Sequence, residues 1–477
     1  MNFNRFQTNR LPGDSLAFRQ MEWRTWYEGV QERIANFYSQ WLRSHTSHGR
    51  FWAALDANER AEQVHVPIAS DIAQASSNML FGAAMELDAG DNQSRIEDIA
   101  GWNKLERRLA HAAEIAAAMG GVYLKLDSSE GVDVPVLSVR NPDDTEGTFH
   151  VNGDLRNVVF SRAFTEGDES YVLFETRAME GDDLIIRYQL HNILAAGSLG
   201  RQIRLDQAEE TSGLEPEIRA QGFGGLGAVY IPNILPNKLF LESHEGVSDY
   251  ALAIPLMDAL DEVYSSWIND VTLGRGRVFI DEELLNTDDD SRRFDPYQRA
   301  MTKVQMTNTG DSDKMPIEQV QFAIRAEGHR QTAQDLAERI VSMSGYAPQS
   351  FGLQTDGRAP ESGTALRLKE RKSTATRSKK AWYWKYGLQQ LFFEAQRMDN
   401  LFLGRDYTAT PVSVELAETH IPDRKEDSEV AQELRRADAA STERIVEIVN
   451  PGMDESERAE EVERIHREMG EPVDTGA

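Results

Sequence analysis

Three stretches of this 477-residue chain bring together side chains of types that do chemistry. Gly181-Asp182-Asp183, with Glu180 beside it, carries the paired aspartates with which metal-dependent polymerases hold two divalent ions for phosphoryl transfer. It also falls between two alternating apolar-polar runs, where Gly and Asp are the ordinary residues of a hairpin turn, and the turn is the favoured reading. Asp288-Asp289-Asp290 could gather a hard cation, but it lacks the alternating ligand spacing of a calcium loop, so a solvated turn is expected there as well. Gly222-Phe223-Gly224-Gly225-Leu226-Gly227 satisfies the G-x-G-x-x-G spacing that cradles a pyrophosphate. That cradle works only with a helix N-terminus directly behind it, and the residues that follow, Ala228-Val229-Tyr230-Ile231-Pro232, read as a strand. The ten histidines form no H-E-x-x-H, and neither G-x-S-x-G nor G-x-x-x-x-G-K-[ST] occurs. No catalytic residue, cofactor or metal site is therefore assigned. An acidic metal-dependent nucleic-acid enzyme built on Asp182 and Asp183, or on 288–290, stays open, because catalytic groups need only meet in space.

One segment is strongly basic. Between Arg367 and Lys385 lie Arg367, Lys369, Arg371, Lys372, Arg377, Lys379, Lys380 and Lys385, against the single acid Glu370. At 100° per residue these cations fall all around a helix, so the segment is no simple groove binder; a solvated helix paired with neighbouring acids is the alternative. Trp382, Tyr383, Trp384, Tyr386, Phe392 and Phe393 follow closely. Stacking on bases is conceivable for them, and burial of one helix face between layers is favoured.

The elements that would position these residues can be read from periodicity. From a cap at Ser248-Asp249, the residues Tyr250, Ile254, Met257, Leu260 or Asp261, Tyr264, Trp267 or Ile268 and Val271 recur at helical spacing, which predicts a helix of about 25 residues, roughly 37 Å long. A second helix is predicted from about Ile324 to Ser344, stopped by Gly345 and Pro348. Between them 277–280 reads as a strand, 287–291 as a turn and 319–323 as a further extended piece. Upstream, helices are predicted over Trp23–Leu42, Ile68–Leu80 and Leu105–Met119, then an antiparallel meander through 122–126, 157–160, 171–176 and 184–190 that ends at 229–233. Downstream come a long helix from Ser362 to about Phe402, a strand over 412–416, helices over 425–439 and 442–449, and an acidic helix reaching Met469.

Composition sets limits. This length should make two or three core-bearing units. No run approaches a membrane span, and the first residues lack the apolar core of a signal peptide, so an intracellular site of synthesis and no membrane are expected. Zero cysteines exclude disulfides and thiolate ligands. A formal charge of -28 argues against gripping nucleic acid, yet a like-charged wall lets DNA slide with little friction, so acidity does not exclude a DNA conduit.

Taken in order, the chain resembles the portal proteins of tailed double-stranded-DNA bacteriophages of the long-tailed type. The residues that carry the resemblance are Glu245-Gly246-Val247-Ser248-Asp249-Tyr250 with Leu256-Met257-Asp258-Ala259-Leu260-Asp261, Ser344-Gly345-Tyr346-Ala347-Pro348, Glu361-Ser362-Gly363-Thr364-Ala365-Leu366-Arg367, and 441–449 followed by Asn450-Pro451-Gly452 and an acidic helix. The resemblance implies an α+β portal architecture: a wing at 1–245, helical then β-rich; a two-helix stem at 246–273 and 324–348; a small αβ clip at 274–323; a tunnel loop at 349–361; a long backing helix at 362–403; and a helical crown at 404–477. It implies a ring, typically of twelve subunits, at one capsid vertex of the virion, assembled in the host cytoplasm. Double-stranded viral DNA would pass through the ring in packaging and ejection. Terminase large subunit and head-tail adaptor would dock on it, and major capsid and scaffolding proteins would surround it. Gln354, Thr355, Asp356, Gly357 and Arg358 would form the tip of the tunnel loop, and Arg358, Arg367, Lys369, Arg371 and Lys372 are the DNA-proximal candidates. A non-channel capsid or adaptor protein is the remaining alternative.

Overall fold

The computed structural model describes residues 15–44, 51–54, 63–129, 131–194, 198–274, 277–281, 301–304, 317–320, 324–353, 363–417, 424–450, 453 and 455–469. Contacts divide the chain into two units, Met1–Gln354 with Lys372–Leu416, and Thr355–Arg371 with Ala417–Ala477. Among the described residues no helix is long and apolar enough to cross a membrane.

The first unit opens with helices α1 (Leu16–Glu28), α2 (Gln31–Ser44), α3 (Phe51–Ala54) and α4 (Ile68–Phe81). The single helix expected over Trp23–Leu42 is broken in two. Gly29 takes a left-handed φ of 62°, returns its N–H to the Thr25 carbonyl at 3.3 Å, and so closes α1 as a C-cap. A short strand β1 (Met85–Asp88) and helices α5 (Gln93–Asn103) and α6 (Leu105–Met119) follow. Helix α6 has the predicted bounds, because its Ala- and Leu-rich face is wholly buried and Gly120 ends it.

The strands build two sheets where one meander was expected. β2 (Gly121–Asp127) and β3 (Val136–Arg140) pair with the later β10 (Ala228–Pro232) in the order β10-β2-β3. The long hairpins β4 (Thr145–Phe149), β5 (Leu155–Glu166), β6 (Glu169–Glu180), β7 (Asp183–Ile193) and β8 (Leu199–Ile203) form the meander itself, with β9 (Glu217–Ala220) also on β7. Strand β10 thus leaves the meander and runs antiparallel to β2, Val229 opposite Leu124. This places the buried run Val122-Tyr123-Leu124 directly on the helical core.

Helix α7 (Ile254–Leu273) leads to strands β11 (Arg277–Asp281), β12 (Met301–Val304) and β13 (Ile317–Val320), and helix α8 (Ala326–Met343) follows. β11 is central, parallel to β12 and antiparallel to β13. The turn expected over 287–291, with Asp288, Asp289 and Asp290, lies outside the described residues. Helix α9 (Gly363–Leu403) is 41 residues long, and β14 (Ser413–Leu416) returns to pair antiparallel with β1, Val414 opposite Leu87.

One main core joins these parts: Trp23 and Trp26 of α1, Leu109 of α6, Tyr250, Ile254 and Met257 at the start of α7, Ile340 and Val341 of α8, and Trp384 and Leu388 of α9. Burying side chains of this size contributes on the order of 2 kcal/mol each. The second unit holds α10 (Arg424–Arg436), α11 (Thr442–Val449) and α12 (Glu455–Met469). Ser441 caps α11 by accepting the Arg444 N–H at 3.2 Å, and Arg458 of α12 reaches Glu447 of α11 at 3.4 Å.

Candidate functional site

The Gly181-Asp182-Asp183 and Gly222–Gly227 motifs are structural turns. Glu180 and Asp183 face each other across the β6–β7 hairpin, with Gly181 at a φ of 66°. The Asp183 carboxylate accepts the Gly222 N–H at 3.0 Å and an Arg219 N–H at 3.0 Å, which hold it below the ordinary carboxylate range, backbone donor first. Among the described residues no group of three or more His, Asp or Glu side chains could hold a metal ion. The glycine motif is a cradle for the protein's own carboxylate. The Gly227 N–H donates to Glu394 of α9 at 2.7 Å, and a Cβ on Gly225 would lie 2.7 Å from the Glu394 carboxyl carbon. Burial pushes Glu394 up, opposed by its donors Gln390 and Gly227.

The densest polar assembly lies where α7 begins, α8 ends and α9 passes both. The sequence reading makes Ser248-Asp249 a helix cap. The structure starts α7 five residues later, at Ile254, and gives it 20 residues, or about 30 Å. Residues 249–253 form a turn instead, because the Asp249 carboxylate is taken by other partners. The Lys380 ammonium of α9 donates to it at 2.6 and 2.8 Å, the Tyr346 hydroxyl at 2.7 Å and the Asn233 amide at 2.8 Å. Lys380 Nζ also lies 2.7 Å from Ser76 Oγ of α4 and 2.9 Å from Tyr346 Oη. Both charges are out of water, the side chains 2% and 0% exposed. Burial pulls the Lys380 ammonium below its ordinary value, and the attraction of the Asp249 carboxylate opposes that pull. Burial and the same carboxylate drive the Tyr346 hydroxyl well up.

The rest of that α9 face finishes the end of α8. Gly345 takes a φ of 95°, where an L side chain is strained, and its carbonyl accepts from Thr376 at 2.6 Å. Ser373 accepts the Ala347 N–H at 2.8 Å, and Lys372 donates to the Ser342 carbonyl and, at 3.1 Å, to its hydroxyl. Thr376 and Lys372 thus donate to carbonyls at and beyond the C-terminus of α8, and Ser373 takes up the Ala347 N–H that follows it. At the far end of the pair, Asp270 of α7 accepts two N–H groups of Arg325 at 2.8 and 2.9 Å and faces His329 of α8 at 3.0 Å. Arg325 first and His329 second hold the Asp270 carboxyl well below the ordinary range. α7 and α8 therefore lie side by side with opposite sense, tied at both ends.

α7 is also fixed along its flank. Asp261, which the periodicity placed on the apolar stripe, is fully buried but accepts from Trp52 Nε1 at 2.8 Å and from the Val66 N–H at 2.8 Å, and lies 2.8 Å from His65 Nδ1.

Of the tunnel-loop residues, Gln354, Thr355, Asp356, Gly357 and Arg358 lie outside the described residues. Arg367 and Lys369 fall on the backbone of α9, and their side chains are likewise not described. Arg371 and Lys372 are exposed, Lys372 while bonded to Ser342. The remaining cations of the run hold the first unit together: Arg377 donates to the Met79 and Leu416 carbonyls at 2.8 and 3.3 Å, Lys379 to the Leu235 carbonyl, and Lys385 to the Glu415 carboxylate. The aromatic cluster divides. Trp384 and Phe392 are buried at 1% and 3% exposure, whereas Trp382 and Tyr386 stand 66% and 73% exposed.

Sequence reasoning missed the Lys380–Asp249 centre. A signal was present, since Lys380 precedes Trp384 and Leu388 by four and eight residues and so shares their buried face.

A family model described as phage portal protein, SPP1 Gp6-like, matches residues 203–472. No curated protein matches the chain. Among solved structures, the neck of an empty GTA particle computed with C6 symmetry is 13% identical, with a TM-score of 0.40 over 87% of this chain and 93% of that chain. The neck of a native GTA particle computed with C12 symmetry is 12% identical, with a TM-score of 0.43 over 85% and 90%. The virion of a native gene transfer agent (GTA) particle contains a chain 13% identical, with a TM-score of 0.40 over 87% and 92%.

Proposed function

The chain belongs to the SPP1 Gp6-like phage portal protein family, and we propose that it works as the DNA conduit of a capsid vertex, a ring of about a dozen copies that guides DNA and hydrolyses nothing. In this reading α7 and α8 are the stem, β11 to β13 belong to the clip where terminase and later the head-tail adaptor dock, residues 349–361 form the tunnel loop, and α10 to α12 belong to the crown.

The observation that carries the reading is the Lys380 junction, inside a family match that spans both legs and the long helix. A moving duplex loads whatever loop it touches. Here the two legs are tied to each other at Asp270 and to α9 at Asp249, so a load on residues between α8 and α9 meets a braced frame rather than a loose hairpin. A buried ion pair adds little net stability over an apolar replacement, but it admits only one register, which suits a part that must hold geometry under force.

Charge supports passive guidance. A chain at -28 repels phosphates over most of its surface, so the few cations that meet DNA must hold weakly and release. Arg358, Arg367, Lys369, Arg371 and Lys372 are assigned that contact. At roughly 0.5 kcal/mol per exposed pair, one contact per subunit in a dozen subunits sums to about 6 kcal/mol, enough to steady DNA.

The test is reconstituted packaging. Capsid shells assembled with the chain, then given terminase, ATP and double-stranded DNA, are expected to protect DNA from nuclease, and shells assembled without it to protect none. ATP hydrolysis by the purified chain, removed by a point change in it, would contradict the passive mechanism.

A further inference from the structure

The exposed aromatic side chains on the outward face of α9 have no role in the frame just described. From Lys379 to Arg397 this face presents Lys379, Trp382, Lys385, Tyr386, Phe393 and Arg397 within one side of the helix, Lys385 being paired with the Glu415 carboxylate. Trp382 and Tyr386, one turn apart, are among the most exposed large apolar side chains of the described residues, at 66% and 73%. Arg397 lies over the Phe393 ring at 5.1 Å from its centroid. Lys379 and Arg397 donate to neutral carbonyls, those of Leu235 and Gly224, so their positive charge is not cancelled by these bonds. The same face continues into a groove of about 860 Å³ between α9 and the segments at 88–91 and 410–413, lined by Gln389, Gln390 and Phe393 on one side and by Asp88 and Asp91 on the other.

We propose that this cationic aromatic strip is an inter-subunit surface of the ring, and that its occupant is the acidic side of a second copy of this chain. This rests on the ring reading above. Charge complementarity selects the occupant: the chain carries 79 acidic against 51 basic side chains, so a second copy is a predominantly acidic partner for a basic strip. Rotational closure requires such unlike faces to meet, since a ring is built from heterologous contacts. The nineteen residues from 379 to 397, eighteen steps of 1.5 Å, with about 10 Å of width give roughly 270 Å², about a third of what a standard interface takes from each partner, so the strip would be one part of a larger subunit contact. Aromatic side chains beside Lys and Arg, exposed in one subunit, are of the kinds that carry binding energy once covered.

The experiment follows ring formation of the full chain by native mass and imaging across protein concentrations. W382A/Y386A should keep the circular dichroism spectrum and melting temperature of the wild type, because neither side chain is in the core, and should need at least tenfold more protein to fill half the rings. Trp102→Ala, at a comparably exposed Trp on α5, should leave that concentration unchanged. A photo-crosslinking amino acid at position 386 should give copy-to-copy adducts. Rings that form equally well in W382A/Y386A, or adducts to DNA in place of a second copy, would overturn the inference while leaving the ring reading intact. Failure of the wild type to form rings under any condition would instead remove the reading on which it rests.

Discussion

At the scale of single residues, Lys380 decides most. Removing one member of a buried pair strands the other charge, so Lys380→Met is expected to cost about 3–5 kcal/mol in chemical denaturation of the unassembled chain. K380M/D249N should recover more than half of that loss, since an amide in place of the Asp249 carboxylate can still accept from Asn233 through its oxygen and donate to the Tyr346 hydroxyl through its NH2 without carrying charge. A double variant no more stable than the single one would mean that the ion pair itself, rather than the avoidance of a lone charge, holds the junction. Asp270 gives a pH signature of definite sign. Its carboxyl is lowered in the folded state from the ordinary 3.8 by Arg325 and His329, so its contribution is fully present above that value and is lost as pH falls through the range below it. The difference in denaturation midpoint between the wild type and Asp270→Asn should therefore be constant above about pH 5 and shrink below pH 4. A difference that grows on acidification would contradict the assignment.

At the scale of elements, the turn after α8 needs glycine. A Cβ at Gly345 would take a strained left-handed backbone and sit 3.0 Å from Thr376 Oγ1, so Gly345→Ala should cost roughly 1–3 kcal/mol, read by the same denaturation. Partial relief in G345A/T376A would confirm that α9 crowds the site. Elements with strong local signals were legible in the sequence. Helix α6 and helix α11 have the predicted bounds, and α8 ends near Gly345 as expected, because caps and apolar spacing act over a few residues. What local patterns cannot carry is partnership at long range. β1 pairs with β14 across more than three hundred residues, β10 leaves the meander for β2, and β12 was not anticipated at all. The same limit hid the junction: Asp249 has the chemistry of a cap, and only the arrival of Lys380 from 131 residues away turns it into half of an ion pair. The glycine motif was read as no pyrophosphate cradle because a strand follows it, and its close backbone serves instead to receive Glu394.

At the scale of the molecule, a strongly acidic chain, a braced pair of helices and a long helix serve one proposed function. Family membership and the order of these parts were both legible from the sequence, whereas the contacts that brace them were not. If the ring and the conduit hold, the charges divide into two tasks, most of them keeping DNA off the wall and a few touching it. The measurement that tests this most directly is negative-stain imaging with native mass determination of the purified chain over a range of concentration and salt, with capsid and scaffolding proteins added where the chain alone stays small. Closed rings of about a dozen subunits with an open centre wide enough for duplex DNA are expected. A strict monomer in every condition, or a closed oligomer with no central opening, would contradict it.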